Sequence, residues 1–444
     1  MDSIAKSLNP NKHLKEEFVS NLTGSSMIEI VALSTIVPVL MLLPHSLGLP
    51  TSAGAKKSWA AYLVMIVSYL CIVIVPILLF LTILAGWTYE FAILLLVPLL
   101  FSCKRSREER PNSLRQSISS YRVAMMVVTC LCILAVDFNI FPRRYAKTET
   151  YGSSLMDLGV GSFVLANALV SREARNLATP NWKTAITSTS PLIILGIGRL
   201  ISTTVVNYQV HVGEYGVHWN FFFTLAAVAI LTSVIRIPSK YCGVLGSLIL
   251  FGYQVWLSLG LRSYLLSDKR GPGIISQNKE GIFSVVGYWG MYLVGVQLGS
   301  YLFFGCQTTP SRSSRWTRNR LYILSIFFWI LTVVLDKHVE RVSRRTCNLP
   351  YVTAVIAQNL QVLALLMLSD FIPGYKSSAL VEAINQNLLA TFLLANLLTG
   401  LVNMLMDTLN ASSVVSLVVL IGYAFVLCIT IGLTHFRGIR LKFW

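Results

Sequence analysis

Long apolar stretches separated by short polar ones run the length of the chain. Apolar runs of about 17 to 25 residues, enough to cross a bilayer as a helix, fall at 27–43, 59–84, 86–102, 121–139, 153–171, 185–206, 216–235, 242–261, 281–305, 320–335, 350–370, 384–406 and 413–435. The pattern predicts an all-α polytopic membrane protein with about thirteen transmembrane helices in a single bundle. Its weakest division lies within 59–102, where Gly86 is nearly the only break. No connection is long enough to fold alone, so residues 1–444 read as one transmembrane domain. It divides into a segment 1–26, a helical bundle 27–435 and a tail 436–444. Small-residue spacings such as Gly295 to Gly299 read as close helix packing. No internal repeat of the kind found in many transporters is evident.

Composition agrees: 55% of residues are hydrophobic, 12% are charged, and the mean hydropathy is +0.66. Soluble domains carry about 25% charged residues. A net charge of +17 would suit nucleic acid if the basic residues were clustered, but they lie between the apolar runs. Alternate connections differ in their basic content. The richer set holds Lys104, Arg105, Arg107, Arg110, Arg115, Arg312, Arg315, Arg318, Arg320 and the C-terminal Arg437, Arg440 and Lys442. The positive-inside rule then puts the C-terminus in the cytosol and, with thirteen spans, the N-terminus in a lumen or outside. Two connections on the opposite side, 262–280 and 336–349, are basic and weaken the asymmetry. Two glycosylation sequons, Asn21-Leu22-Thr23 and Asn410-Ala411-Ser412, fall on the luminal side, with Asn21 the expected acceptor. The first 26 residues lack a cleavage pattern, so the first helix is expected to act as its own insertion signal. Cys71, Cys130, Cys132, Cys242 and Cys428 lie in apolar runs, Cys347 is alone in a luminal loop, and no spacing suits a metal. No metal or cofactor is expected.

Charge that the bilayer does not explain marks the candidate chemistry. Between Asp137 and Asp157 the segment DFNIFPRRYAKTETYGSSLMD sets acids, bases and a proline between two apolar runs. On a continuous helix Asp137 and Lys147 would stand about 15 Å apart. Pro142 forbids that helix, so the chain can bend and bring Lys147 back toward Asp137. Partial burial would make Asp137 a stronger base, while a nearby ammonium acts in the opposite sense. Arg143 and Arg144 suit an anionic headgroup, or they anchor a helix end by snorkelling. Arg199, within LIILGIGRLIS, needs a partner or a watery cavity, and a phosphate would serve. A second cluster, NYQVHVGEYGVHWNFFFTLA from Asn207 to Ala226, offers His211, Glu214, His218 and Asn220. Either histidine competes with Asp137 for the role of base, while Tyr208, Tyr215 and Trp219 also fit an interfacial aromatic belt. Asn403 and Asp407 lie near the end of LLANLLTGLVNMLMDT. No GxSxG, Walker, HExxH or glycine-rich nucleotide motif appears.

Four blocks in order, KEEFVSNLTGSS, LAVDFNIFPRRYAKTETYGSSLMDLGVGSFV, GRLISTTVVNYQVHVGEYGVHWNFFFTLA and NLLTGLVNMLMDT, make the chain resemble the glycosylphosphatidylinositol (GPI) inositol acyltransferases of the endoplasmic reticulum. The likeness runs from Lys15 to the C-terminus. It implies a multi-pass enzyme of GPI-anchor biosynthesis. Such an enzyme transfers a fatty acyl group, typically palmitoyl, from acyl-CoA to the inositol of glucosaminyl-phosphatidylinositol. In that family the aspartate and lysine of DF..FPRR.AK are the proposed catalytic pair, here Asp137 and Lys147, and the variable positions are Asn139 and Tyr145. Asp137 would take the hydroxyl proton, and Lys147 would stabilise the oxyanion or orient Asp137. Arg143, Arg144 and Arg199 would hold phosphates, and the block from Asn207 to Asn220 would close the pocket. The competing expectation is a transporter or flippase of an anionic lipid or metabolite.

Overall fold

The computed structural model describes residues 12–46, 58–103, 113–177, 182–205, 212–235, 237–305, 313–372 and 375–441. Among them, ten helices are long and apolar enough to cross a membrane: Met27–His45, Trp59–Phe80, Leu114–Ala135, Ile186–Val205, Ser239–Leu266, Lys279–Phe304, Ser314–His338, Leu349–Phe371, Leu388–Leu405 and Ser413–Phe436. Three shorter apolar helices, Thr88–Cys103, Asp157–Leu169 and Phe221–Val234, take the remaining stretches of the sequence pattern. A 13-residue helix rises only about 20 Å, less than the hydrocarbon core, so length alone does not carry these three across. The break at Gly86 falls in the 3-10 turn Ile83–Trp87. The all-α class holds, the described residues adding only an isolated bridge between Ser25 and Ser153.

Helix Leu349–Leu366 is the axis of the bundle. Asn348 caps it by accepting from Tyr351 N, and Pro350 sits in its first turn, where no backbone donor is needed. A helix apolar on every side has no solvent or lipid face to present, and this one is buried almost throughout. It packs against helices Met27–Ser46, Ser113–Ala135, Asp157–Leu169, Lys279–Gly299 and Ser314–His338. Its polar side chains find partners within the bundle. Asn359 donates to Ser162 Oγ at 2.8 Å and accepts from the Tyr121 hydroxyl at 2.8 Å. The Gln361 amide donates to Val31 O and Thr35 Oγ1, each at 2.9 Å. Glycines bring helices close: a Cβ on Gly295 would meet Ala168 and Leu165 at 2.8 Å, which accounts for the Gly295 to Gly299 spacing. Outer helices such as Trp182–Val205 leave Ile194 and Ile201 exposed, as a lipid-facing surface requires.

The connections at one end of the bundle meet and form a polar face. Glu149 N donates to Leu22 O, Arg144 reaches Ala85 O, Lys147 reaches Glu214, Arg345 reaches Glu280, Arg344 reaches Asp157, and Asn139 bonds Leu409 O. These are the alternate connections that the sequence pattern assigns to a single side.

Candidate functional site

The segment from Asp137 to Asp157 is folded tightly into that face. Helix Ser113–Ala135 ends two residues before Asp137. Arg143 then turns back and donates to the carbonyls of Val136, Phe138 and Phe141 at 2.9–3.1 Å, capping the exposed end. Pro142 leads into the 3-10 turn Arg143–Tyr145, with Phe138, Phe141, Tyr145 and Ala146 buried beneath. Arg144 and the Tyr145 hydroxyl both bond Glu29 Oε1, at 2.7 and 2.9 Å. Farther along, Gly24 (φ 83°) and Gly152 (φ 119°) let the N-terminal segment and this loop approach backbone to backbone, with Ser25 N donating to Ser153 O at 2.8 Å. Asp157 gathers the loop's end, accepting from Thr148 N and Oγ1, Ser154 N and Oγ, and Arg344 Nε.

Asp137 is 5% exposed. Its Oδ2 accepts from Asn403 Nδ2 at 2.7 Å, and Asn403 Oδ1 accepts from Lys15 Nζ, also at 2.7 Å. Oδ1 of Asp137 accepts no hydrogen bond among the described residues. Burial raises the carboxyl above its usual range, opposed by Asn403, Lys15 and Arg143. The result is a carboxylate with one oxygen held, one free, and a strengthened affinity for a proton.

Lys147 lies in a different cluster. It donates to both oxygens of Glu214, at 2.8 and 2.9 Å, and Arg344 joins Glu214 Oε1 (2.9 Å) to Asp157 Oδ1 (3.0 Å). Arg344 is 3% exposed. Lys147 keeps 40% of its side-chain surface open. Burial pulls the ammonium down against the support of Glu214. Burial would push Glu214 up, but Lys147 and Arg344 outweigh it and bring the carboxyl to about 2. Arg199 is exposed, has no ion pair among the described residues, and stands within electrostatic range of Lys147 and Glu214.

Several expectations change on this geometry. The Pro142 bend forms, but Asp137 and Lys147 make no ion pair: each is bonded by a different partner from a distant part of the chain. Arg143 commits Nε and Nη2 to backbone carbonyls as a cap, while its Nη1 is buried without a hydrogen-bond partner among the described residues. Arg144 is tied to Glu29. Glu214 is committed to Lys147 and Arg344. Asn220 caps helix Phe221–Val234 and donates to Gly196 O, a structural role. His218 is exposed, and among the described residues its backbone N alone is hydrogen-bonded, to Asn278 Oδ1. His211 lies outside the described residues. Arg199 sits in the C-terminal third of the lipid-facing helix Trp182–Val205. Sequence reasoning does not find Lys15 or Arg344, whose partners are remote, and it noticed Asn403 and Asp157 without giving them a role. Because the His218 side chain is exposed and makes no hydrogen bond among the described residues, His218→Ala is expected to leave acyl transfer in membranes within about two-fold of wild type, as for surface changes generally.

Fold and site together define a multi-pass membrane protein that carries a buried, half-free carboxylate and a lysine–glutamate–arginine network at one end of its bundle. The chain belongs to the GWT1 family, whose profile matches residues 11–434. It is 38% identical to the phosphatidylinositol-glycan biosynthesis class W protein of Dictyostelium discoideum, covering 75% of this chain and 76% of that one. It is 36% identical to GPI-anchored wall transfer protein 1 of Aspergillus oryzae, covering 93% and 95%. With the glucosaminyl-phosphatidylinositol-acyltransferase PIGW of Bos taurus it shares 34% identity over 98% and 99%.

Proposed function

We propose that this chain transfers a long-chain acyl group, typically palmitoyl, from acyl-CoA to an inositol hydroxyl of glucosaminyl-phosphatidylinositol, with Asp137 as the general base. The protein is an acyltransferase of GPI-anchor biosynthesis, and the names of its relatives speak for acyl transfer and against the transport alternative. The observation that carries the assignment of the base is the free Oδ1 of a buried Asp137. In the reaction Oδ1 removes the hydroxyl proton as the oxygen attacks the thioester carbonyl. The tetrahedral oxyanion collapses with cleavage of the C–S bond, and the proton passes from Asp137 to the departing CoA thiolate. An ammonium has three donors. Two of those on Lys147 go to Glu214, and the third serves the oxyanion, a contribution worth about 3 kcal/mol per donor. Arg199 and the open face of Arg144 hold substrate phosphate, and the acyl chain lies between apolar helices.

The test is label transfer from acyl-CoA to glucosaminyl-phosphatidylinositol in membranes holding equal amounts of each variant. Lys147→Ala is expected to lower kcat by about 100-fold with little change in acceptor KM. A rise in KM alone would make Lys147 a phosphate ligand instead. We place the protein in the endoplasmic reticulum membrane, with the polar face and N-terminus luminal and the tail cytosolic. Asn21 is exposed on that face. A glycosidase-sensitive mobility shift that Asn21→Gln removes is the expected result, and glycosylation of a site engineered into the tail would reverse the orientation.

A further inference from the structure

The donor that holds Asp137 is itself held. Asn403 uses both amide hydrogens, one to Asp137 Oδ2 at 2.7 Å and one to Thr399 O at 3.1 Å. Its oxygen accepts from Lys15 Nζ at 2.7 Å and from Thr408 Oγ1 at 3.5 Å. A lysine only donates, so Lys15 commits the amide oxygen to itself and leaves the N–H side for the carboxylate. Lys15 is 6% exposed. It is carried by the short N-terminal helix Lys12–Phe18. Phe18, three residues on and on the same helical face, packs over the Arg143 guanidinium at 3.9 Å and seats the helix beside the site.

We propose that Lys15 is a positioning residue for Asp137: the N-terminal helix delivers it to lock the Asn403 amide, so that Oδ2 meets an N–H and Oδ1 stays free as the base. This rests on the reading of Asp137 as the base. Without Lys15 the amide can turn its oxygen toward the carboxylate, and two acceptors then face each other. The charged groups facing Asp137 are Lys15 from the N-terminal helix and Arg143 from its own loop, while Asp407, after helix Leu388–Leu405, faces Lys15. Losing Lys15 therefore removes one of the two cations that favour the ionised carboxylate.

The experiment compares full-length Lys15→Met, Lys15→Gln, Lys15→Arg and Asp137→Asn in membranes, reading kcat, acceptor KM and the acid limb of the pH profile. Lys15→Met is expected to lose about 10- to 100-fold in kcat, the scale of a hydrogen bond to a charged group, and to move the acid limb to higher pH with acceptor KM unchanged. Lys15→Arg, which restores donor and charge, is expected to recover most of both. Lys15→Gln keeps a donor without the charge, so it shows the displaced acid limb even if the methionine variant does not accumulate. Wild-type kcat and acid limb in Lys15→Met and Lys15→Gln, with Asp137→Asn inactive, would overturn the proposal. So would equal losses in the methionine and arginine variants with an unmoved acid limb, which would make Lys15 a packing residue only. Full activity in Asp137→Asn would instead defeat the assignment of the base, whatever the Lys15 variants show.

Discussion

Asp137→Asn is expected to reduce acyl transfer about 100- to 10,000-fold at unchanged protein level, the span that general base catalysis supplies. The substitution conserves shape and still offers an oxygen to Asn403, so the loss should lie in kcat and not in folding. The wild-type pH profile carries the same signature. A base works only when deprotonated, and burial raises the Asp137 carboxyl. Activity should therefore fall as pH drops through a value above the usual carboxylate range, with Lys15, Arg143 and Asn403 limiting how far above. Rate measurements across the acid limb, alongside the asparagine variant, check both.

Arg344→Leu is expected to have the largest effect on stability. Arg344 links Glu214 to Asp157, both largely buried, and Asp157 in turn holds Thr148 and Ser154. Removing the cation leaves the buried Asp157 without a counter-ion and Glu214 with Lys147 alone, a change that costs about 3–5 kcal/mol in comparable buried pairs. A lowered thermal midpoint in detergent, with loss of activity through displacement of Lys147, is the expected reading; a midpoint equal to wild type would contradict the network's role. The pH dependence has a definite sign. Glu214 is depressed from 4.5 to about 2 in the fold. Its contribution is thus complete above about 4.5 and is lost as pH falls through about 2.

Apolar periodicity made the architecture readable, because a bilayer imposes nearly the same length on every crossing segment. It placed the break at Gly86, the span over 350–370 and the close approach at Gly295 correctly. It ran past the end of helix Ser113–Ala135, because Phe138 is apolar for burial beneath the loop and not for lipid. The two basic connections that weakened the charge asymmetry have a physical explanation. Arg262 pairs with Glu340, Arg270 and Arg345 with Glu280, and Arg344 with Glu214 and Asp157, so they are counter-ions and not free positive charge. Asp137 was legible because a charge at the end of an apolar run has few bland explanations. Its partners were not: Lys15 and Asn403 are 388 residues apart, and Arg344 lies 130 residues beyond Glu214. Sequence spacing reports neighbours along a helix or turn, and these contacts arise only when alternate connections meet on one face. That is also why ten residues between Asp137 and Lys147 suggested a pair, whereas the fold gives each end of the bend its own counterpart.

The central claim is that Asp137 Oδ1 receives the proton of the acylated hydroxyl. The most direct measurement is a structure of the protein with glucosaminyl-phosphatidylinositol and a thioether analogue of acyl-CoA. An inositol hydroxyl about 2.6–3.2 Å from Asp137 Oδ1, facing the carbon that replaces the thioester carbonyl, is the result predicted. A hydroxyl bound instead against His218, or at the Lys147–Glu214 pair with Asp137 still covered, would contradict it.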